Sequence, residues 1–388
     1  MNTVWRARRV AAAGLLALAV AMGVGRFAFT PILPMMQVDV GLSLRAAGWL
    51  AAANYLGYLI GALGAAWLSP VWAIRGGLLL IALVTLGMGI DTNFVGWLVL
   101  RLLAGVASAW VLVHVSAWSL ERLLALRRAM LGGVVFAGVG VGIAGAGLLC
   151  MVMMRMEVDS AHAWQVFGGV SLVLLAALWS SFRADPPLAA ARAVAAATDS
   201  RVAWTADKLL LALCYGAFGF GYIIPATFLP ALARRFIADP ALFGWAWPVF
   251  GAAAALSTYA AARWLGAWND RRLWAAAHAL MAVGVALPVL WPGLPAILLA
   301  ALMVGGTFMV VTMAGLREAR RVASVNATTF IAALTAAFAL GQLLGPLVVS
   351  VVAGSRHGLA YALFVASTVL LLSAVMLWRS TVARADRS

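Results

Sequence analysis

Acidic side chains are scarce in this sequence, and they are missing where membrane chemistry most often uses them. Twelve of 388 residues are Asp or Glu, and none stands near the middle of an apolar run. That removes the buried carboxylate with which many proton-coupled carriers bind and release the proton. Coupling must then use a carboxylate at a helix end, a histidine or the substrate's own charge. Cysteine is nearly absent as well. Cys150 and Cys214 lie in separate apolar runs without a CxxC pair or a neighbouring histidine. Metal and disulfide chemistry are therefore not expected, and both thiols read as small buried side chains. There is one lysine against 26 arginines. No Gly-x-Ser-x-Gly, His-Glu-x-x-His or Gly-x-x-x-x-Gly-Lys-Ser/Thr pattern occurs. The first two absences speak against an enzyme, and the third against ATP as direct energy source. No cofactor is expected.

What is abundant is apolar surface. Apolar residues make up 65% of the chain and charged residues 10%, too little charge to cover a water-facing domain. A bilayer core of about 30 Å takes about 20 apolar residues per helix. Continuous apolar length predicts an all-α membrane protein with twelve spans, roughly 10–34, 46–68, 74–91, 94–120, 129–154, 162–182, 207–231, 242–264, 273–291, 294–316, 324–350 and 358–378. The net charge of +15 does not point to nucleic acid, because the arginines fall between the runs and not in an aromatic-laced patch. With a cytoplasmic N-terminus, twenty basic residues fall on the inside and five on the outside, with Arg26 and Arg101 inside spans. One frame thus satisfies the positive-inside rule for all twelve helices and puts both termini in the cytoplasm. The expected location is a bacterial inner membrane. Residues 1–22 also have the composition of a signal peptide, with Ala17-Leu18-Ala19 as a cleavage-like site, but the apolar run continues through Arg26 to Pro34.

Two segments 196 residues apart nearly match. Gly23–Pro34 reads GVGRFAFTPILP and Gly219–Pro230 reads GFGYIIPATFLP. Each closes the first long run of its half, which predicts two related six-helix bundles, 1–182 and 207–388, joined by a cytoplasmic linker at 183–206 that has room for a short surface helix. Such repeats usually frame a transport path. Arg26 in the first copy faces Tyr222 in the second.

A charge inside a span costs at least about 2.5–3.5 kcal/mol, so Arg26 and Arg101 should each face a cavity or a partner. Counted from the outer helix ends at about 1.5 Å per residue, they lie about 12 and 10 Å deep, at one level. With no buried acid, an anionic ligand is one candidate partner; backbone carbonyls, including those freed by Pro31 and Pro34, are the other. Thr30 shares the Arg26 face, and Gly105 and Ser108 share that of Arg101. His114 projects away and reads as a packing residue, and His278 reads as interfacial. Asn54, Tyr55, Tyr58, Tyr215, Tyr222, Thr227, Thr307 and Gln342 could line a polar route. The Gly57/Gly61, Gly138–Gly145 and Gly341/Gly345 spacings suit close helix packing or, alternatively, hinges.

The 6 + 6 arrangement resembles the major facilitator superfamily over the whole chain. Gly23 to Pro34 is similar to the first-helix signature of its YbfB/YjiJ-type subfamily, and Arg101-x-x-x-Gly105-x-x-x-Ala109 to the superfamily's fourth-helix arginine motif. The resemblance implies a secondary transporter working by alternating access, with helices one, four, seven and ten around a central cavity. Substrate-binding candidates are then Arg26, Thr30, Arg101, Ser108, Tyr222 and Thr307. Gating candidates are Gly61 and Arg75, which keep part of the motif between helices two and three without its Asp, and Asp270 and Arg271, which keep more of it. The expected partners are a small organic solute, anionic if the arginines bind it, and the bilayer, with protons as a candidate coupling ion and the chain acting as a monomer. The efflux relatives of the subfamily favour export. A membrane sensor, or an efflux carrier whose arginines are structural, are the alternatives.

Overall fold

The computed structural model describes residues 3–182, 204–236, 244–264, 268–323, 327–352, 355 and 357–385. Among them every regular element is helical. Twelve long helices follow one another: α1 Thr3–Asp39, α2 Leu44–Gly64, α3 Pro70–Met88, α4 Phe94–Ala125, α5 Gly132–Arg155, α6 Ser160–Leu178, α7 Ala206–Phe236, α8 Ala246–Trp264, α9 Asp270–Leu290, α10 Leu294–Val322, α11 Ala327–Val352 and α12 Gly358–Ala385. Eleven are long and apolar enough to cross a membrane. The other, α8, is diluted by alanine, aromatic and hydroxyl residues. The predicted linker at 183–206 lies outside the described residues up to Ala203, and α7 begins at Ala206.

Helix starts follow local chemistry. The Ser43, Asn93, Asp159 and Asn269 side chains accept the first free backbone N–H groups of α2, α4, α6 and α9, donors that no earlier turn can satisfy. Pro70 opens α3, where a missing N–H costs nothing. Several helices outrun the predicted spans. α1 begins at Thr3 and α4 ends at Ala125, because apolar length locates the lipid-embedded part and charged ends continue the helix into the interface. The outward faces keep large apolar residues such as Leu63, Leu83, Val173 and Leu256 exposed, as lipid contact permits.

The interior is built on close backbone approach. A Cβ on Gly23 would lie 2.6 Å from Gly142, and one on Gly219 would overlap the Phe338 carbonyl. Gly219 and Phe338 each stand 196 residues after Gly23 and Gly142, so α1 crosses α5 as α7 crosses α11. Likewise Gly105 of α4 lies on the Asn54 carbonyl of α2, and Gly305 of α10 on the Phe250 carbonyl of α8. The glycine-rich stretch of α5 divides between two neighbours. Gly138 and Gly142 face α1, whereas Gly140 and Gly147 face Ala255 and Pro248 of α8. Gly57 and Gly61 both pack on α4 carbonyls.

Successive crossings bring the described chain ends to one side. The two sets of six helices meet toward the other, far side. There Gly48 of α2 would place a Cβ 2.8 Å from the Pro346 carbonyl of α11, and Gly147 of α5 one 2.5 Å from Pro248 of α8. On the termini side a cleft of about 320 Å³ separates the same partners, lined by Leu120, Gly132, Phe136, Thr258, Met309, Leu316, Arg317 and Arg320 among others. A Cβ on Gly133 at its edge would touch nothing within 4 Å. The fold is closed on the far side and parted on the termini side.

Candidate functional site

The site grows from an irregularity in α1. Residues Ala19–Phe27 form a π-helical stretch. Widening the helix there turns carbonyls out of the regular ladder, and such segments collect at functional positions. Two side chains claim those carbonyls. Asn54 Nδ2 donates to Gly25 O at 3.2 Å and to Arg101 O at 2.9 Å. Arg101 donates from Nη2 to Arg26 O at 3.1 Å and from Nη1 to Gly25 O at 3.5 Å. Of the two partners open to Arg101 from sequence, the backbone is the one it has. Its guanidinium also lies 5.1 Å from the Phe29 ring.

Arg26 is placed differently. It is 2% exposed, stacked 4.0 Å from the Tyr58 ring and 5.0 Å from the Tyr55 ring. Its Nη2 donates to Gln342 Oε1 of α11, and its Nε is buried without a partner. Gln342 Nε2 in turn donates to the Tyr222 hydroxyl. The Tyr222 ring is stacked between Phe308 and Phe338, at 5.1 and 5.7 Å. Thr30 donates to Ala226 O at 3.0 Å, and Tyr55 shares a 3.1 Å hydrogen bond with Thr227. Ala226 stands 196 residues after Thr30, so the repeated segments touch at equivalent residues. Two buried guanidinium groups thus lie together where the halves meet. Among the described residues neither forms an ion pair with a carboxylate.

Arg26, Arg101, Thr30 and Tyr222 converge here. Ser108 and Thr307 turn to their own helices. Ser108 Oγ donates to Ala104 O at 2.7 Å and fills the space beside Gly25. Thr307 Oγ1 donates to Met303 O at 2.7 Å. Gln342 is the residue sequence reading undervalued. The signal available was that it is the only amide side chain within α11. His278 needs correction. It is fully buried, not interfacial, accepting from Trp274 Nε1 at 2.9 Å and bonding Ser373 Oγ at 3.0 Å. Its place early in α9 suggested the surface, but α10 and α12 cover that face. His114 bonds the Trp110 carbonyl of its own helix at 2.9 Å.

The gating candidates fall on the termini side. Arg271 is fully buried and bridges three neighbours. It donates to Glu318 of α10, to both Asp207 oxygens of α7 at 2.7 Å, and to Ser380 of α12 at 3.2 Å. Asp270 pairs with Arg317 at 3.9 Å. Glu318, read from sequence as a helix-end acid, is wholly buried and also holds Arg321 at 2.8 Å. Arg75, 196 residues before Arg271, has no such acids. It donates to Trp179 O at 2.6 Å and stacks 4.6 Å from that indole. Gly61 serves the α2–α4 crossing.

A family model described as the uncharacterised MFS-type transporter YbfB matches residues 18–378. The chain belongs to this family of major facilitator transporters. Solved structures of the same fold include a D-xylose–proton symporter (TM-score 0.76, 13% identity, covering 97% of this chain and 98% of that one). A bacterial homologue of the human lysosomal transporter Spinster, inward-facing and occupied, gives TM-score 0.70 at 12% identity, with 96% of both chains covered. A mutant of the nucleoside transporter NupG gives 0.70 at 13%, covering 95% and 99%. At such identities the likeness concerns the fold. No curated protein matches the sequence. The MFS-type transporter described here is thus a multi-pass membrane protein whose fold neighbours are transporters.

Proposed function

We propose that this chain is a secondary transporter of a small organic anion, with Arg26 as the principal contact. Its halves, 1–182 and 207–388, alternate about the Arg26–Tyr222 level. The observation that carries the reading is a buried guanidinium answered by a neutral amide and aromatic faces, not by a carboxylate. An uncompensated charge there favours whichever state brings an anion to it. Arg101 acts one step back, pinning the π-helical carbonyls that fix Arg26. The chain works as a monomer in a bacterial inner membrane with cytoplasmic termini, as the arginine bias supports. The parted side then faces the cytoplasm. Turnover is coupled to protons or to exchange against a second solute, with export the favoured direction.

A second reading has one observation behind it. The Arg26–Gln342 bond joins the two halves, so the arginine could serve only to seal the far side of an efflux carrier. Purified full-length protein distinguishes the two in a thermal-shift screen of organic anions and neutral drugs. Arg26→Ala should remain folded in the membrane and lose every anion response. An anion response kept by that variant defeats the proposal.

A further inference from the structure

The Gln342 amide lies between Arg26 and Tyr222, which occupy matching positions of the repeated segments. Arginine offers only donors, so the amide oxygen must face Arg26 and the amide nitrogen must face Tyr222. The Tyr222 hydroxyl therefore accepts, and its own proton has no acceptor among the described residues. Nε and Nη2 form one edge of a guanidinium, an edge able to hold a carboxylate through two parallel bonds. Gln342 presents a single oxygen to that edge, at Nη2, and leaves Nε buried and unpartnered. Three demands coincide in this small volume: an Arg26 N–H, the Tyr222 proton and the positive charge. A planar group with two oxygens and one negative charge answers all three.

We infer that Gln342 stands in for a substrate carboxylate, and that the transported anion is a carboxylic acid. Its two oxygens take the Nε/Nη2 edge of Arg26, and one of them also accepts the Tyr222 proton. This rests on the reading of Arg26 as the anion contact. Because Arg26 belongs to α1 and Gln342 to α11, a carboxylate that displaces the amide also breaks a bond between the halves. Substrate arrival and release of the far-side seal become one event. The planar amide favours a planar carboxylate over a tetrahedral phosphate or sulfonate.

Gln342→Glu tethers a carboxylate in that place and tests the idea without knowledge of the substrate. Full-length Gln342→Glu in detergent should melt about 4 °C higher than wild type, and adding Arg26→Met should abolish the gain. A lower Tm for Gln342→Glu with Arg26 intact overturns the inference. The second arm uses lactate and benzoate as probes against lactamide and benzamide, read by ligand-dependent Tm. The acids should stabilise wild type and the amides should not. Gln342→Ala should bind the acids roughly tenfold more tightly, a difference of about 1.4 kcal/mol, and Gln342→Glu should not bind them. Weaker or unchanged acid binding by Gln342→Ala overturns the inference. Stabilisation through Arg26 by phosphate or methanesulfonate, with the acids silent, overturns the carboxylate assignment and leaves the anion reading intact. Acid binding that survives Arg26→Met overturns both. Should every probe be silent, the tethered glutamate decides.

Discussion

Arg271 and Arg75 occupy equivalent places 196 residues apart, yet their surroundings predict very different costs of removal. Every guanidinium nitrogen of Arg271 is engaged, by Glu318, Asp207 and Ser380. Arg271→Ala strands two acids. The Glu318 side chain, with no exposure, keeps only Arg321, while Asp207, 28% exposed, partly rehydrates. Removing one partner of a buried pair costs about 3–5 kcal/mol, and the solvent reach of Asp207 puts this case near the lower end, at about 3. Arg75→Ala loses one charge-assisted bond to the Trp179 carbonyl and a stacking contact, and strands no acid. At a partly exposed site that is about 1 kcal/mol. In a chain of this size about 1 kcal/mol moves Tm by about 2 °C. Thermal unfolding in detergent should show falls of about 6 °C for Arg271→Ala and about 2 °C for Arg75→Ala. Arg271→Lys should recover little, since an ammonium cannot span Asp207 and Glu318 with a planar fork. Equal falls for the two alanine variants, or full recovery by lysine, would refute the reasoning.

Gly105→Ala and Gly305→Ala would each drive a methyl into a backbone carbonyl of the neighbouring helix, so both should lose most folded yield by fluorescence-detected size exclusion. Gly145→Ala and Gly306→Ala meet nothing within 4 Å and should be neutral or raise stability by up to about 1 kcal/mol through helix propensity. Asn54→Leu removes the donor to the Gly25 and Arg101 carbonyls and should cost about 1–3 kcal/mol, seen as a lower Tm. The Asp159 carboxyl, N-cap of α6, is held below the usual carboxylate range by the His162 backbone N–H first and its side chain second. A lowered folded-state pKa means that its contribution is complete above the ordinary carboxylate value and fades as pH falls through the lowered one. Hydrogen exchange at the start of α6 should therefore match its neutral-pH protection at pH 5 and weaken near pH 3, whereas Asp159→Asn should lack that acid-dependent loosening.

Chain order and chemistry carried the architecture. Twelve apolar runs, each near bilayer length, leave no other solvent and no other backbone solution than helices. The match between Gly23–Pro34 and Gly219–Pro230 announced the duplication, because the same crossing needs the same small residues at the same spacing. The intramembrane cost of a charge singled out Arg26 and Arg101 without any fold in hand. The π-helical stretch at Ala19–Phe27 left no mark of its own, since its extra width reflects what Asn54 and Arg101 offer from other helices.

The partners of each polar side chain were the tertiary structure's to decide. Arg26 and Arg101 are chemically alike and lie at similar depth, yet one reaches a neighbour's amide across the seam between halves and the other folds onto backbone carbonyls of its own half. His278 reads as superficial along the chain and proves enclosed once α10 and α12 close over it. Glu318 belongs to a helix end by position and to the interior by packing. Hydrophobicity is a property each residue carries alone, so it can be read in one dimension. A hydrogen bond needs a second group at about 3 Å in the right direction, and only the folded chain brings positions 316 residues apart, such as Arg26 and Gln342, to that distance.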